Sequence, residues 1–390
     1  MVPPQLSKDS KILIVGGGTW GCSTALHLAR RGYTDVLVLD LNPIPSPISA
    51  GHDINKIAEH EEEVGDQISD FKPLNTAEDF RQTMPTGVLT GSFPGWKGFH
   101  KSKGAGWVHA RAALTSAFDE SKRLGVRFIT GPPQGQVESL LFEDGDVRGA
   151  MTADGTEHRA DRTILSAGAS AELFLDLKNQ IRPTAWTLGH IQMTPEEMKL
   201  YRDLPVLFNV NKGFFMEPDE DLHQLKICDE HPGYCNWVKN PGSEMPRSVP
   251  FAKHEVPLKS ERRMREFLRD TMPQLADRPL VHARVCWCAD TRDRMFLITY
   301  HPRHPSLLVA SGDCGSGFMQ IPSIGGFIVD CLEGVLEPRF AKFWAWRPEK
   351  FPDFWGNDPL DRFGADGRVM DLPKADSEGW TRINSSVGKS

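Results

Sequence analysis

The N-terminal stretch that ends at Asp40 restricts the possible folds of this chain more than any other part of its sequence. Residues 11–15 are an apolar, β-branched run without polar alternation, which is typical of a buried parallel strand. Residues 16–21, G-G-G-T-W-G, fit the pattern G-x-G-x-x-G, and residues 22–31 continue with helical apolar periodicity. A second apolar strand, residues 36–39, ends at Asp40. Strand, glycine turn, helix, strand and terminal acid in this order predict a dinucleotide-binding unit.

Each glycine of this turn has a mechanical role in such a unit. Gly16 turns the chain, Gly18 lets a pyrophosphate approach the backbone, and Gly21 lets the helix pack closely on the strand. The helix N-terminus then presents free N–H groups and a positive dipole end to the phosphates. Asp40 lies nineteen residues beyond Gly21, where it is predicted to accept hydrogen bonds from ribose hydroxyls.

The bulk properties exclude several classes of protein. At 390 residues the chain exceeds the size at which one hydrophobic core usually keeps growing, so two domains are expected. Its net charge of -7 gives no reason to expect nucleic acid or an anionic membrane as a partner, and no segment is apolar enough to span a membrane. The absence of a secretory signal and of a C-terminal peroxisomal tripeptide predicts a cytoplasmic protein.

The cysteine and histidine patterns argue against disulfide bonds and metal sites. Seven cysteines are an odd number spread along a long chain, without a C-x-x-C pair, which argues against a disulfide framework and against structural zinc. The histidines show no metal-ligand spacing either, so no metal site is expected.

The segment after Asp40 is a candidate part of the binding site. Its three prolines and Gly51 prevent regular structure, and in a dinucleotide-binding fold this connection leaves the edge of the sheet where ligands bind. Asp53, Asn55 and Lys56 are therefore candidate site residues. The alternative interpretation is a solvated loop followed by a helix cap.

A second glycine-rich turn lies near the other end of the chain. The apolar strand at residues 307–310, the turn S-G-D-C-G-S-G-F-M-Q and a helix over residues 324–332 repeat the opening pattern. Between the two turns, residues 162–165 form a strand that runs into small residues, including Ala167 and Gly168, which permits a flat cofactor to approach the backbone. These features predict an α/β fold with a discontinuous cofactor domain, into which a second domain with long, aromatic-rich strands is inserted.

Six stretches along almost the whole chain resemble one family. They are residues 16–33, G-G-G-T-W-G-C-S-T-A-L-H-L-A-R-R-G-Y; 49–57, S-A-G-H-D-I-N-K-I; 182–193, R-P-T-A-W-T-L-G-H-I-Q-M; 225–236, L-K-I-C-D-E-H-P-G-Y-C-N; 286–291, C-W-C-A-D-T; and 362–371, R-F-G-A-D-G-R-V-M-D. Together they resemble the fungal fructosyl amino acid oxidases, or amadoriases, which are FAD-dependent amine oxidases similar in fold to monomeric sarcosine oxidase.

The resemblance implies a sarcosine oxidase-like arrangement with a Rossmann-like FAD domain and an inserted mixed-sheet domain. It places residues 1–60, 107–180 and 290–340 in the FAD-binding domain and residues 61–106 and 181–289 in the substrate-binding domain. Residues 341–390 are then a tail that packs on the surface and contributes Arg362. The protein is expected to be a monomer.

The resemblance also implies that FAD is held covalently by a thioether to Cys286. Cys288 lies two residues further along a predicted strand, so both sulfurs would face the same side. Sequence spacing alone leaves the choice between these two cysteines open.

Family resemblance assigns roles to several side chains. The substrate carboxylate would contact the guanidinium fork of Arg362, Glu230 would contact the substrate amine or sugar hydroxyls, and Trp186 would form an aromatic wall. Lys226 matches the lysine that faces the flavin and assists the oxygen step, because a fixed cation stabilises developing negative charge. Asn55 and Lys56 resemble residues of a relay that serves the same step, and Asp53 joins them as a substrate-binding candidate.

The predicted cofactor contacts follow both glycine turns and the strands between them. They are Gly16, Gly18, Thr19, Trp20, Gly21, Asp40, Lys56, Val137, Ala167, Gly168, Cys286, Gly315, Gly317, Phe318 and Met319.

Two departures from the family pattern bear on the substrate. Met319 stands where several relatives carry a lysine near the substrate, which removes one cation. Between His60 and Leu74 the chain is several tens of residues shorter than typical relatives, whose extra segment covers the substrate entrance. A more open site that admits larger glycated peptides is the resulting hypothesis.

The predicted activity is oxidation of fructosyl amino acids or short glycated peptides to glucosone, free amine and hydrogen peroxide, with oxygen as the acceptor. One alternative is a sarcosine- or pipecolate-type oxidase of N-alkyl amino acids. Another is a flavin-binding protein whose turnover is impaired by the shortened entrance. A nicotinamide dehydrogenase would fit the first motif but would explain neither Cys286 nor the second glycine turn.

Overall fold

The structure is a computed structural model that describes residues 6–59, 70–239, 245–313, 315–359, 368–372 and 378–383. Its strands, in chain order, are β1 Ile12–Val15, β2 Val36–Asp40, β3 Lys56–Glu59, β4 Phe71–Leu74, β5 Gly98–Lys101, β6 Ala105–Val108, β7 Arg127–Thr130, β8 Val137–Glu143, β9 Asp146–Thr152, β10 Glu157–Arg159, β11 Arg162–Leu165, β12 Arg182–Gln192, β13 Leu207–Asn209, β14 Gly213–Phe215, β15 Gln224–Cys235, β16 Trp237–Val238, β17 Arg247–Ser248, β18 Leu280–Asp290, β19 Leu297–His301, β20 His304–Ser311 and β21 Met370–Asp371. The α-helices are α1 Thr19–Arg30, α2 Ala77–Arg81, α3 Ala110–Arg123, α4 Pro195–Leu200, α5 Leu258–Thr271, α6 Ile324–Glu333 and α7 Pro338–Phe343.

A six-stranded, mostly parallel sheet with the order β19-β20-β11-β1-β2-β7 forms one half of the molecule. β1 lies between β2 and β11, with Ile14 opposite Val38 on one side and Ile164 on the other. β20 is parallel to β11, and only β19 runs antiparallel to its neighbour. The sheet therefore combines strands from both ends of the chain, as the repeated glycine pattern predicts.

Both faces of this sheet are apolar, which suits a parallel sheet covered on each side. Ile14 and Val38 pack with Leu28 of α1 and Ile328 of α6 in one buried cluster. The opposite face buries residues such as Leu39 against Leu140 of β8. At roughly 1.5–3 kcal/mol for each large apolar side chain, this double burial fixes the register of the strands.

A second six-stranded sheet has the order β13-β14-β15-β12-β18, with β21 added parallel to β15. One face of β12, β15 and β18 is apolar. Its residues, for example Ile191 and Ile227, pack with Phe267 of α5 and with side chains from the segment between Leu74 and Trp96. This apolar face anchors the sheet and leaves its other face for the site.

The strand period of two places a different set of residues on that other face. From β12 it carries Trp186, Leu188 and His190; from β15, Lys226, Cys228 and Glu230; and from β18, His282, Arg284, Cys286 and Cys288. The registers support this assignment, since Leu188 lies opposite both Cys228 and Arg284, and Trp186 lies opposite Cys286.

Within the described residues no helix has the length and apolar character needed to cross a membrane. The cysteines described there, Cys22, Cys228, Cys235, Cys286, Cys288 and Cys331, are free thiols.

Candidate active site

The first glycine turn is held by contacts that only glycine permits. Gly16 has φ +102°, and a Cβ there would lie 2.5 Å from the carbonyl oxygen of Ser166. A Cβ on Gly21 would lie 1.9 Å from the carbonyl oxygen of Gly16. The turn therefore brings α1 against the end of β1 and the end of β1 against residues that follow β11, as the motif predicts.

Gly18 differs from Gly16 and Gly21 because a Cβ there would meet no protein atom within 4 Å. Gly18 is also the N-cap of α1, which has neither a side-chain cap nor an acidic residue in its first turn. The first N–H groups of α1 thus have no side-chain cap and carry the positive end of the helix dipole. An anion such as a pyrophosphate fits this arrangement.

Asp40 stabilises the same turn from the end of β2. Its carboxylate accepts hydrogen bonds from the N–H groups of Gly17 at 2.7 Å and Asn42 at 2.8 Å. Burial raises the pKa of Asp40, and the two backbone hydrogen bonds oppose that rise. Asp40 therefore supports the loop directly, and its contact with a ribose stays a prediction.

The two glycine turns meet. The indole Nε1–H of Trp20 donates to the carbonyl oxygen of Gly317 at 3.1 Å. A Cβ on Gly51 would lie 2.8 Å from Thr19 Oγ1 and 3.6 Å from the ring of Phe318, so the loop after β2 also reaches this point. The two turns and the loop after β2 are therefore neighbours in space.

Four of the remaining predicted cofactor contacts, Ala167, Gly168, Gly315 and Gly317, lie in or next to the two glycine turns. Ala167 Cα lies 2.9 Å from the position of a Gly16 Cβ, and Gly168 follows it with φ +53°. Both Gly315 and Gly317 donate backbone hydrogen bonds to the Asp313 carboxylate, at 2.9 and 3.0 Å. Val137 packs on the apolar cluster beneath the sheet and Met319 is half-buried.

The loop after β2 also places a buried ion cluster, Asp53, Lys56, Lys226 and Arg284, over the second sheet. Asp53 is 4% exposed, and its carboxylate contacts Arg284 Nη2, Lys56 Nζ at 2.6 Å and Lys226 Nζ at 3.5 Å. Lys226 has no exposed side-chain surface and donates a hydrogen bond to the carbonyl oxygen of Asn55. The Asn55 side chain in turn donates to the carbonyl oxygen of Glu217 at 2.9 Å.

Three cations and one carboxylate give this ion cluster a net positive charge. Burial is the largest single effect on the pKa of Asp53 and would raise it, but Arg284, Lys56 and Lys226 together outweigh burial and hold that pKa well below its usual range. Asp53 conversely raises the pKa of Lys56 and Arg284 against the effect of burial. The cluster can therefore present fixed positive charge to a ligand in a dry site.

Trp186, Glu230 and Cys286 share the face that carries the ion cluster. Cys286 is 5% exposed and packs with Leu188, and Glu230 is 8% exposed. By contrast, the neighbouring Asp229 points to the opposite face and pairs with Arg263 of α5. The alternation of β15 thus sends two adjacent carboxylates to opposite faces of the sheet.

The two cysteines of β18 have different surroundings. Burial raises the pKa of Cys288 well above its usual value, and the nearby carboxylates of Asp313 and Asp290 add to the rise. Cys286 lies directly opposite Trp186 and packs with Leu188 and Cys228. The two sulfurs, although equivalent in spacing, therefore have different neighbours.

The structure brings together the predicted site residues Asp53, Asn55, Lys56, Trp186, Lys226, Glu230 and Cys286. Arg362 lies outside the described residues. Sequence reasoning missed Arg284, His190 and His282. The alternation of His282 and Arg284 with Cys286 along V-H-A-R-V-C is nevertheless a visible signal.

A separate cleft of about 640 Å³ is lined by His109, Arg111 and Asp219 among others. It touches the loop that carries Asp53 and Asn55 at Ile54.

Comparison with known proteins agrees with this geometry. Residues 11–60 and 48–331 match the family described as FAD dependent oxidoreductase. The chain belongs to this family. FAD is therefore its cofactor, and the open space beside Gly18 and the uncapped α1 suit the pyrophosphate of that dinucleotide.

Within this FAD dependent oxidoreductase family the chain is similar to the amadoriases. It is 54% identical to the solved structure of a fructosyl amine:oxygen oxidoreductase, Amadoriase I from Aspergillus fumigatus, with a TM-score of 0.94 over 98% of this chain and 100% of the other. Amadoriase II, a fructosamine oxidase of the same organism, is 48% identical with a TM-score of 0.92 over 97% of this chain and 98% of the other. A curated relative, the L-saccharopine oxidase of Schizosaccharomyces pombe, is 26% identical over 87% of this chain and 93% of its own length. The expected sarcosine oxidase-like α/β fold and FAD-dependent amine oxidase class are confirmed.

Proposed function

We propose that this FAD-dependent oxidase acts on the carbon–nitrogen bond of fructosyl amines, giving glucosone, a free amino acid or short peptide, and hydrogen peroxide. The observation that carries the proposal is the 54% identity to a fructosyl amine oxidoreductase over nearly the whole chain. It gains weight from the shared face of Trp186, Lys226 and Glu230, residues that match the family's motifs.

FAD, when bound, supplies the two-electron acceptor for the amine, and the protein supplies orientation and electrostatics. Its phosphates would be held by the α1 N-terminus at Gly18, and its ring would lie between the second glycine turn and the ion cluster. The contacts predicted at Thr19, Ala167, Gly315 and Phe318 belong to the same proposal.

Glu230 and Trp186 would orient the substrate. A carboxylate beside a secondary amine stabilises the ammonium form, so Glu230 favours binding but opposes the deprotonation that oxidation requires. Its proposed role is therefore orientation. The partly buried Trp186, on the neighbouring strand, would form a wall for the sugar.

Arg362 is proposed to hold the substrate carboxylate through a bidentate contact. Residues on both sides of it in sequence support this role. The carbonyl oxygen of Asp358 accepts a hydrogen bond from Arg182 at the start of β12, at 2.7 Å, and Met370 pairs with Tyr234 of β15. Both contacts lie at the end of the sheet nearest to Trp186 and Glu230.

Lys226 is proposed to assist the reaction of oxygen. Reduction of O2 creates negative charge, and a fixed ammonium group in a dry site lowers the energy of that charge. The burial of Lys226 and its fixed contacts with Asn55 and Asp53 support this assignment. Lys56 adds a second cation to the same place, while Asp53 orients both cations.

Cys286 is proposed as the site of covalent FAD attachment. Cys286 lies on the face of β18 that carries Arg284, whereas burial and the carboxylates of Asp313 and Asp290 raise the pKa of Cys288 and so disfavour the nucleophilic thiolate there. Acid precipitation tests the assignment. Yellow colour should stay with the pellet for the wild-type protein and for Cys288→Ser, and should pass to the supernatant for Cys286→Ser.

A substrate panel with peroxide detection tests the activity itself. Fructosyl-valine and ε-fructosyl-lysine should be oxidised well above sarcosine, pipecolate and saccharopine. A preference for sarcosine or pipecolate would replace the proposed function with that of an N-alkyl amino acid oxidase. A yellow protein that fructosyl-valine fails to bleach under anaerobic conditions would indicate a flavin-binding protein without turnover.

The proposed domain division keeps the bounds predicted from the sequence. Its support is that side chains between Leu74 and Trp96 pack in the same apolar cluster as the second sheet and α5. The monomeric state and the cytoplasmic location stay predictions of the sequence.

A further inference from the structure

A row of histidines crosses the second sheet next to Lys226. His190 of β12 lies directly opposite Lys226 of β15 on one side and directly opposite His282 of β18 on the other. Directly opposed residues of antiparallel strands have Cβ atoms about 4.5–5.5 Å apart. The rings of His190 and His282 are 4.7 Å apart, and the ring of His254 lies 6.0 Å from that of His282.

The members of this row pass from solvent to the interior. His254 is exposed, His282 is half-buried, His190 is 6% exposed, and Lys226 is 1% exposed. Burial increases in the order of the row, so the row runs from an exposed side chain to the ion cluster.

His190 has the hydrogen bonding of a proton carrier. Its Nδ1 lies 2.9 Å from Gln224 Oε1, and since a carboxamide oxygen only accepts, Nδ1 carries the proton. Nε2 is then left as an acceptor, and it is buried without a hydrogen-bond partner in the part of the chain that the structure describes. A buried acceptor of this kind is costly unless water or a proton donor visits it.

We propose that His254, His282 and His190 form a path along which protons move between solvent and Lys226. The proposal rests on the proposed oxidase function. Conversion of the neutral amine to an imine releases two electrons and two protons, and reduction of O2 to hydrogen peroxide takes up two electrons and two protons. The path lets a proton released from the amine exchange with solvent and be replaced at the buried oxygen site.

Burial, together with the charges around the row, keeps its inner members neutral at rest. His190 faces His282, Gln224, Lys226 and Asp53, and burial, followed by His282, lowers its pKa to about 3. His282 faces Arg284, His254, Asp53 and His52, and burial, followed by Arg284, lowers its pKa to about 4. Because Nδ1–H of His190 stays bonded to Gln224 Oε1, a proton on the path is taken up at Nε2 and given on from the same nitrogen, so the imidazolium forms only in passing.

Transient kinetics of the holoenzyme test the path. The enzyme is reduced anaerobically with dithionite and mixed with O2 across pH 6–9, for the wild type, His190→Gln and His282→Ala. We expect both variants to reoxidise about tenfold more slowly at the alkaline end, and free imidazole to restore the rate of His282→Ala. His301→Gln, which alters a buried histidine of β19 outside the row, is the matched control and should reoxidise like the wild type.

Two further readouts separate proton transfer from a structural role. NMR of histidine-labelled wild-type enzyme should show His190 as the neutral Nδ1–H tautomer down to pH 5, and both variants should unfold at midpoints close to that of the wild type. Unchanged reoxidation in both folded variants, or a loss that imidazole does not restore, would overturn the proposal. Because dithionite replaces the substrate, this outcome is distinct from a failure to oxidise fructosyl-valine, which concerns the proposed function alone.

Discussion

The two large sheets of this molecule offer binding groups of different kinds. The parallel sheet is apolar on both faces. The groups near it that can bind a ligand belong to the backbone, namely the glycine turns, the N–H groups of α1 and the closely packed strand ends. The second sheet is apolar on one face only, and its other face offers charged and reactive side chains around Lys226 and Cys286. Backbone geometry can hold a common cofactor, whereas the choice of reaction depends on side chains.

The ionic content of the two sheets differs in the same way. Around the parallel sheet, pairs such as Arg127–Asp35 lie at an edge, with side chains 63% and 32% exposed. Around the second sheet the Asp53–Arg284 pair is 2% and 3% exposed. Only the buried Asp53–Arg284 pair keeps its charges shielded from solvent.

Replacing Asp53 is the strongest test of this contrast. Asp53→Asn leaves the buried Arg284 and Lys226 and the half-buried Lys56 without their counter-ion, so we expect the free energy of unfolding to fall by about 3–5 kcal/mol. The control Asp35→Asn removes an edge pair and should cost less than about 1 kcal/mol. Denaturant titration at pH 7 measures both, and equal losses would remove the distinction between the two sheets.

The pH dependence of the Asp53 effect has a definite sign. The pKa of Asp53 in the folded protein lies well below the usual value of 3.8. Its contribution to stability is therefore complete above about pH 4 and is lost as the pH falls through the folded-state pKa. The difference in unfolding free energy between wild type and Asp53→Asn should narrow as the pH is lowered below about 4, and a constant difference would contradict the assignment.

Replacing Lys226 should affect one half of the reaction. We expect Lys226→Met to slow reoxidation of the reduced enzyme by O2 about 10²-fold or more, because the fixed positive charge is lost, while reduction by fructosyl-valine changes only a few-fold. Stopped-flow absorbance separates the two steps. Lys212→Met, which removes a lysine that pairs with Asp270, is the control. Equal slowing of both steps would assign Lys226 to general packing.

Two glycine substitutions should separate folding from cofactor binding in the parallel sheet. Gly21→Ala drives a Cβ into the Gly16 carbonyl, so we expect a loss of about 1–3 kcal/mol in unfolding free energy. Gly18→Ala meets no protein atom and should cost less than about 1 kcal/mol, yet reduce the FAD content of the purified protein. Denaturant unfolding and the ratio of absorbance at flavin and protein wavelengths give the two results. Full FAD content in Gly18→Ala would exclude close approach of the pyrophosphate.

The smallest expected effect concerns the substrate entrance after His60. If the shortened segment opens the site, turnover of a fructosyl hexapeptide relative to a fructosyl amino acid should exceed that of a full-length relative, and small substrates should bind less tightly. Steady-state kinetics on both substrates measure the ratio. No gain for the peptide would refute the open-site hypothesis.

The sequence predicts the backbone part of the site well and the side-chain part less well. Gly16, Gly18 and Gly21 lie within one stretch of six residues, and their roles follow from local geometry, which the structure bears out for Gly16 and Gly21. Asp53 and Arg284 are 231 residues apart, and their pairing depends on the register of β18 beside β12 and on the path of an irregular loop. Neither the strand register nor the path of the loop can be predicted from the spacing of nearby residues.

The family resemblance brought Lys226, Glu230 and Cys286 together where spacing could not, but it did not single out Arg284, His190 or His282. The period of two along β12, β15 and β18 supplies part of that missing information. Read strand by strand, the alternation marks which residues share a face, but only the pairing register shows that His190 lies between Lys226 and His282.

The Trp20–Gly317 hydrogen bond has a consequence for biosynthesis, because its partners are 297 residues apart in the chain. At a translation rate of roughly 5–20 residues per second, about 15–60 s pass between the synthesis of these two residues. During that interval the nascent polypeptide has the first half of its nucleotide cradle but not the second. The site can therefore bind FAD fully only near the end of synthesis. Messages truncated before codon 317 should yield protein without bound flavin, which is colourless.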